Sequence, residues 1–159
     1  MSLQPFFQWL NDAPLSTAIR ESVWFFAVDQ SLHLVVLTFL AGSILVVDLR
    51  LLGHGFSRQP VAQVARDAQP WLIAALIGMV ATGLPQLMSN AIKEYYSPFF
   101  WTKMEVLPVA LIFTFTLRRK VALADESRVG TFWPKIVGLI SIALWTTVAT
   151  MGRLIGVLS

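Results

Sequence analysis

Long stretches with no charged side chain constrain this chain more than any other feature. None occurs from Leu34 to Val47, and none from Trp71 until Lys93. A helix needs about 20 predominantly apolar residues to cross the hydrocarbon of a bilayer. Across 159 residues, 56% are apolar and only 13% charged, against roughly a quarter charged in an ordinary soluble domain. The apolar residues are gathered into blocks instead of being spread at the spacing of an amphipathic helix or strand, which makes lipid the expected solvent for most of the surface.

The expected architecture is all-α: an integral membrane four-helix antiparallel bundle in one domain, with a short N-terminal interfacial helix. Residues 1–22 hold Phe6, Phe7 and Trp9, then Pro14 and Arg20. This segment is too short and too polar to span, and its rings suit the headgroup level. Transmembrane helices are expected over 23–52, ended by a linker with Gly53, Gly55 and Pro60; over 71–91, after Pro70; over 99–118; and over 133–157. The third must begin near Phe99 to reach crossing length, which places Lys103 and Glu105 in its first two turns.

Basic residues set the expected orientation. Arg50, Arg58 and Arg66 lie at the first linker, and Arg118, Arg119, Lys120, Arg128 and Lys135 at the third, whereas the opposite side has only Arg20 and Lys93 in its linkers. The positive-inside rule makes the first and third linkers cytoplasmic and sets both termini outside, in a multi-pass protein of a bacterial inner (cytoplasmic) membrane. The net charge of +3 is then topogenic and implies no nucleic-acid partner. No early basic region leads into a cleavable apolar run, so a removable signal peptide is not expected. The absence of cysteine excludes disulfides, iron–sulfur clusters, thiolate metal sites and a cysteine nucleophile.

With this topology, ionisable residues from three helices share the outer level: His33, Lys103 with Glu105, and Arg153. Asp29 precedes His33 by one turn, at i, i+4, where a carboxylate can hold the second imidazole nitrogen and fix the ring. An imidazole in a helical bundle suits haem iron, with Lys103 and Arg153 placed to neutralise propionates. One of Gly78 and Gly83 would let a flat macrocycle approach the second helix. The plainer reading makes His33 a hydrogen-bonded structural residue and lets Lys103 and Glu105 snorkel to water. His54 lies about 30 Å from His33 along a continuous helix and cannot join it on one metal. Asp48 and Arg50, at the other end, are expected in salt bridges with Arg66, Arg118 or Arg119.

The strings SLHLVVLTFLAGSILVVDLRLLG, PWLIAALIGMVATG, SPFFWTKMEVLPVALIF and ALWTTVATMGRLIGV together resemble a family of bacterial four-helix inner-membrane proteins of unknown function. His33 followed by Gly42 and Arg50, with the F-x-x-K of Phe100 and Lys103, is distantly similar to HemJ-type protoporphyrinogen oxidases, which bind haem b, and to CopD-like copper-resistance proteins. The resemblance implies haem b, with His33 as the metal ligand and Lys103 as the other essential residue, while Asp29 and Arg153 join the cofactor-binding set by their placement. It carries no oxidase activity with it. A copper site would want several converging His or Met ligands, and the outer side offers one histidine.

The function expected is a membrane-embedded haem-b-binding protein with a redox or electron-transfer role near the outer face. Two alternatives stand beside it: a non-enzymatic subunit or assembly factor of a larger membrane complex, and a binder of quinone or another lipophilic ligand lined by Trp71 and Trp145. Expected partners are the lipid bilayer and either other subunits of a membrane redox complex or further copies of the chain.

Overall fold

The computed structural model describes residues 3–55, 58–124 and 130–158, all of whose regular elements are helical. Arg128 lies outside the described residues. The N-terminal segment forms two short helices, α1 (Gln4–Asp12) and α2 (Pro14–Glu21), because Ala13 and Pro14 break it in the middle. Arg20 closes the corner by donating to the side-chain oxygen and the carbonyl of Asn11, both at 2.9 Å.

Helix α3 (Val23–Leu51) starts at Ser22, whose hydroxyl accepts from the Phe25 amide, so a side chain satisfies one of the orphan N–H groups of the first turn. It stops at Gly53, which takes a positive φ of 85°. There the Gly53 amide returns to Arg50 O and the His54 amide to Leu49 O, a Schellman closure that needs a residue tolerant of left-handed backbone. His54 is thereby set in the exposed linker.

Helix α4 (Val61–Ser89) begins directly after Pro60, ten residues ahead of the expected start at Trp71. Pro70 and Pro85 both sit inside it. Pro70 reads as a first-turn residue in the sequence, yet the amphipathic stretch before it buries Val61, Val64 and Ala68 against α3 and its neighbours, and that packing outweighs the one missing backbone bond. Helix α5 (Ala91–Tyr96) is a short cap, and α6 (Pro98–Phe113) follows it.

The helical path of α6 does not end at the expected limit of Arg118. It passes through a five-residue π turn, Thr114–Arg118, into α7 (Arg119–Leu123). Helix α8 (Phe132–Leu158) closes the fold. Among the described residues, three helices, α3, α4 and α8, are long and apolar enough to cross a membrane, and only 22–28% of their most apolar windows is buried inside the protein. Large apolar side chains such as Val28, Val80 and Ile112 point outward, the arrangement expected where lipid replaces water as solvent.

Residue pairings show how the helices run. Val36 meets Gly78 between α3 and α4; Asp48 and Leu51 meet Gly138 between α3 and α8; Lys103 meets Gly152 between α6 and α8. Each pair is antiparallel. A methyl group at Gly78 would lie 2.9 Å from Val36 Cγ1, and one at Gly138 would lie 3.1 Å from the Asp48 carbonyl. Glycine is therefore what lets α3 approach both neighbours so closely. The midsection is a dry cluster of Leu40, Ile44, Leu72, Ala75, Ala110, Trp145 and Val148. Polar side chains gather above and below it.

Candidate functional site

At one end, α1 and α5 close the bundle with aromatic rings. Phe7 is buried against Tyr95, Phe100 and Trp101, with centroids 5.2, 5.8 and 6.2 Å away. The Trp101 indole donates to Tyr95 O at 2.8 Å. Beneath this cap lie the ionisable residues expected from the sequence.

His33 on α3 and Thr82 on α4 are joined at 2.6 Å through Nδ1 and Oγ1, and the same Oγ1 lies 2.8 Å from Gly78 O. A carbonyl can only accept. Both contacts are hydrogen bonds only if the threonine proton goes to Gly78 O and its oxygen accepts from His33 Nδ1–H. That assignment leaves the Nε2 lone pair of a neutral imidazole uncommitted, the state in which histidine ligates a metal.

Asp29, one turn before His33, accepts from Gln86 Nε2 at 3.2 Å. The expected grip of Asp29 on the imidazole is thus replaced by two rungs across the helix pair, Asp29 with Gln86 and His33 with Thr82. The i, i+4 spacing on α3 is matched by i, i+4 on α4, so both side chains turn to the partner helix instead of to each other. Asp29 remains close enough to act on His33 electrostatically, as does Lys103. Thr82 and Gln86 carry no signal in the sequence beyond being polar in an apolar helix.

Lys103 lies along Gly152, 3.4 Å from where a methyl would stand, and within electrostatic reach of Glu94 on the α5 cap. Glu94 lies outside the long helices; burial pushes its carboxyl above the ordinary range, opposed by Lys103 and Lys93. Arg153 does not join this group: it is exposed on α8 and makes no hydrogen bond or ion pair among the described residues. Glu105 is likewise exposed. Gly83 faces His33, and a methyl placed there would lie 3.6 Å from Cε1, while Gly78 is covered by Val36 and offers no open backbone.

The opposite end holds a second polar group. Arg118 Nε donates to Asp48 Oδ1 at 2.6 Å and Nη2 to Ile44 O at 2.9 Å, all of it buried. The π turn achieves this. Its widened register carries Thr114 and Arg118 to the inner face, where Thr114 Oγ1 accepts from the Trp145 indole at 2.9 Å, in keeping with the habit of π turns to occur where side chains need re-aiming. Asp48 Oδ2 and the Ser141 hydroxyl near it are buried without a partner in good geometry, though the hydroxyl is close enough to act on the carboxylate. A cavity of about 30 Å³ bounded by Ser43, Gln69, Thr114 and Arg118, among others, adjoins this group and has room for a water.

Trp71 and Trp145 do not share a site. Trp71 is exposed and stacked on Phe39 at 6.1 Å, whereas Trp145 is buried in the midsection. Among the described residues, no three His, Asp or Glu side chains group as a metal site.

The profile of a family of unknown function (DUF6644) matches residues 6–158. The chain belongs to that family. No curated protein and no solved structure matches it. The match takes in the aromatic cap and both polar groups, so the whole arrangement described above falls within the family's span.

Proposed function

We propose that this is a four-span protein of a bacterial inner membrane that binds haem b at the His33 end, where it serves a redox or electron-transfer role. The observation that carries the reading is the His33–Thr82–Gly78 chain of hydrogen bonds. It fixes the ring, commits Nδ1 and leaves Nε2 as a ligand, which is how a protein prepares an axial histidine.

The fourth span would be the continuous run Pro98–Leu123, which the π turn divides without ending. Basic linkers at the Arg118 end support a cytoplasmic assignment for that end and an outer assignment for the His33 end. Both termini then lie outside.

The donor chemistry fits haem. His33 Nε2 would ligate the iron, Lys103 would supply either a second ligand or a cation for a propionate, and Gly83 leaves α4 without a side chain beside the imidazole. Bound haem would supply one-electron chemistry. The chain's own residues hold the site: Thr82 holds the imidazole by Nδ1 and orients it, Gln86 and Asp29 tie α3 to α4 one turn away, and the α5 cap with Phe7 and Phe100 keeps bulk water from the end of the bundle.

The test is an absorption spectrum of detergent-purified protein from haem-replete cells, oxidised and reduced. A Soret band is expected in the wild type and its loss in His33→Ala. A folded wild-type preparation without colour overturns the reading.

A further inference from the structure

The outward faces of α6 and α8 at the His33 end carry polar groups that the fold leaves without partners. Glu105 is exposed, about 10 Å along α6 from its first residue. Val109 and Ile112 continue the same face with 54% and 65% exposure, so in a bilayer this face meets lipid. On α8, Ala143, Thr146, Thr150 and Arg153 are all exposed and follow one another at spacings of three and four, which is one stripe along the helix.

Among the described residues, the two hydroxyls in this stripe lack the bond to their own helix that other threonines of the chain make. Thr147, on the neighbouring face, returns its proton to Ala143 O at 2.8 Å, as Thr38, Thr102 and Thr116 do to their own helices. Thr146 and Thr150 make no side-chain hydrogen bond, and Glu105 and Arg153 make neither hydrogen bond nor ion pair, among the described residues. Polar groups facing hydrocarbon are costly, a charged side chain most of all, and less so toward the membrane edge. A membrane helix exposes a small, hydroxyl-bearing face of this kind where another helix packs on it.

We propose that this surface binds a second copy of the chain, with Glu105 of each copy paired to Arg153 of the other. The packing of Lys103 on Gly152 sets residues 103–105 and 152–153 at one height in the bundle. Two copies inserted with the same topology therefore bring a carboxylate and a guanidinium to the same depth without further adjustment. A two-fold axis along the membrane normal makes the contact reciprocal, as self-complementary interfaces are. The small α8 stripe lets the helices approach, and Thr146 and Thr150 then find acceptors across the interface. The inference rests on membrane insertion with one topology and is independent of haem.

The experiment uses full-length protein carrying two different tags, reconstituted in lipid nanodiscs, with co-purification of one tag by the other as the measure of self-pairing. Wild type is expected to self-pair. E105R and R153E each oppose like charges at both contacts, and self-pairing of either is expected to fall by about tenfold or more. Mixing E105R with R153E restores opposite charges at both contacts, so the heterologous pair is expected to recover to near the wild-type level. An ion pair confined within one chain gives no recovery on mixing, and that result overturns the proposal. A monomeric wild type, or an unrelated protein co-purifying stoichiometrically in place of the second copy, overturns it equally. E105Q and R153Q lack the repulsion and keep the test open if a charge reversal misfolds: unchanged helical circular dichroism with partly weakened pairing is expected, and pairing equal to wild type counts against the interface.

Discussion

The two polar groups of this bundle are built to opposite specifications. At the Asp48 end a carboxylate and a guanidinium are sealed together, with side chains 0% and 6% exposed, in contact at 2.6 Å and backed by a backbone carbonyl. At the His33 end the imidazole is half-buried and bound through one nitrogen only, with a lysine, a carboxylate and an amide nearby. The difference separates a lock from a site. The removal of either of two charges sealed against each other is felt as lost stability; a ring held by one nitrogen can lose the other's function with little cost to the fold.

Breaking the lock has the largest expected effect. D48A leaves Arg118 buried and unpaired, and R118A does the same to Asp48; each is expected to lower stability by about 3–5 kcal/mol, whereas an apolar replacement of both partners loses much less. Thermal unfolding in detergent, followed by circular dichroism, checks the three variants. If the double replacement is as unstable as the singles, the pair is not acting as a unit.

Next comes the joint that connects the two ends. G78A forces a methyl to 2.9 Å from Val36 Cγ1, and the strain is expected to cost about 1–3 kcal/mol. V36A in the same chain makes room, and the double variant should regain most of the loss. G83A, with 3.6 Å of clearance from His33, should be close to neutral.

At the His33 end the expected stability changes are smaller and the spectroscopic ones larger. T82V removes one hydrogen bond and is expected to cost about 1 kcal/mol, while the haem band shifts or weakens because the imidazole is no longer held. H33A should leave the melting temperature within the range of T82V and abolish the band. A D48A preparation that still folds should retain it, as expected if the two ends act separately.

The smallest effect is a pH slope. Burial raises the Glu94 carboxyl above its ordinary range, with Lys103 and Lys93 opposing the shift. Between the ordinary and the raised value, the folded chain holds a proton that the unfolded chain has released, so stability falls as pH rises through that interval. E94Q carries no titratable group there. The wild type is therefore expected to gain stability relative to E94Q as pH is lowered from neutral toward the ordinary carboxylate range, measured as the difference between their melting temperatures at each pH.

The long helices were legible because charge-free length is a local property: α3 and α8 begin and end within a residue or two of the expected limits. The start of α4 was not, since Gln63, Arg66, Asp67 and Gln69 make Val61–Gln69 too polar to extend an apolar span and Pro70 reads as a boundary. Only its burial against α3 and the α7 region shows why the helix runs through it. Arg118 was legible as a partner for Asp48 and no more than that, because TFTLRRK reads as an ordinary helix end followed by topogenic charge. No pattern in it announces a π turn.

By itself the sequence determined the helical class, the apolar stretches long enough for a bilayer and the end of the molecule where His33, Asp29 and Lys103 lie, because apolar blocks and the positions of charges along a helix are fixed by one-dimensional spacing. Tertiary structure decided which side chain touches which. Thr82 lies 49 residues from His33 and Arg118 lies 70 from Asp48, and only the register of antiparallel helices, set by glycine contacts at Gly78 and Gly138 and by the widened turn at Thr114–Arg118, brings them within a hydrogen bond.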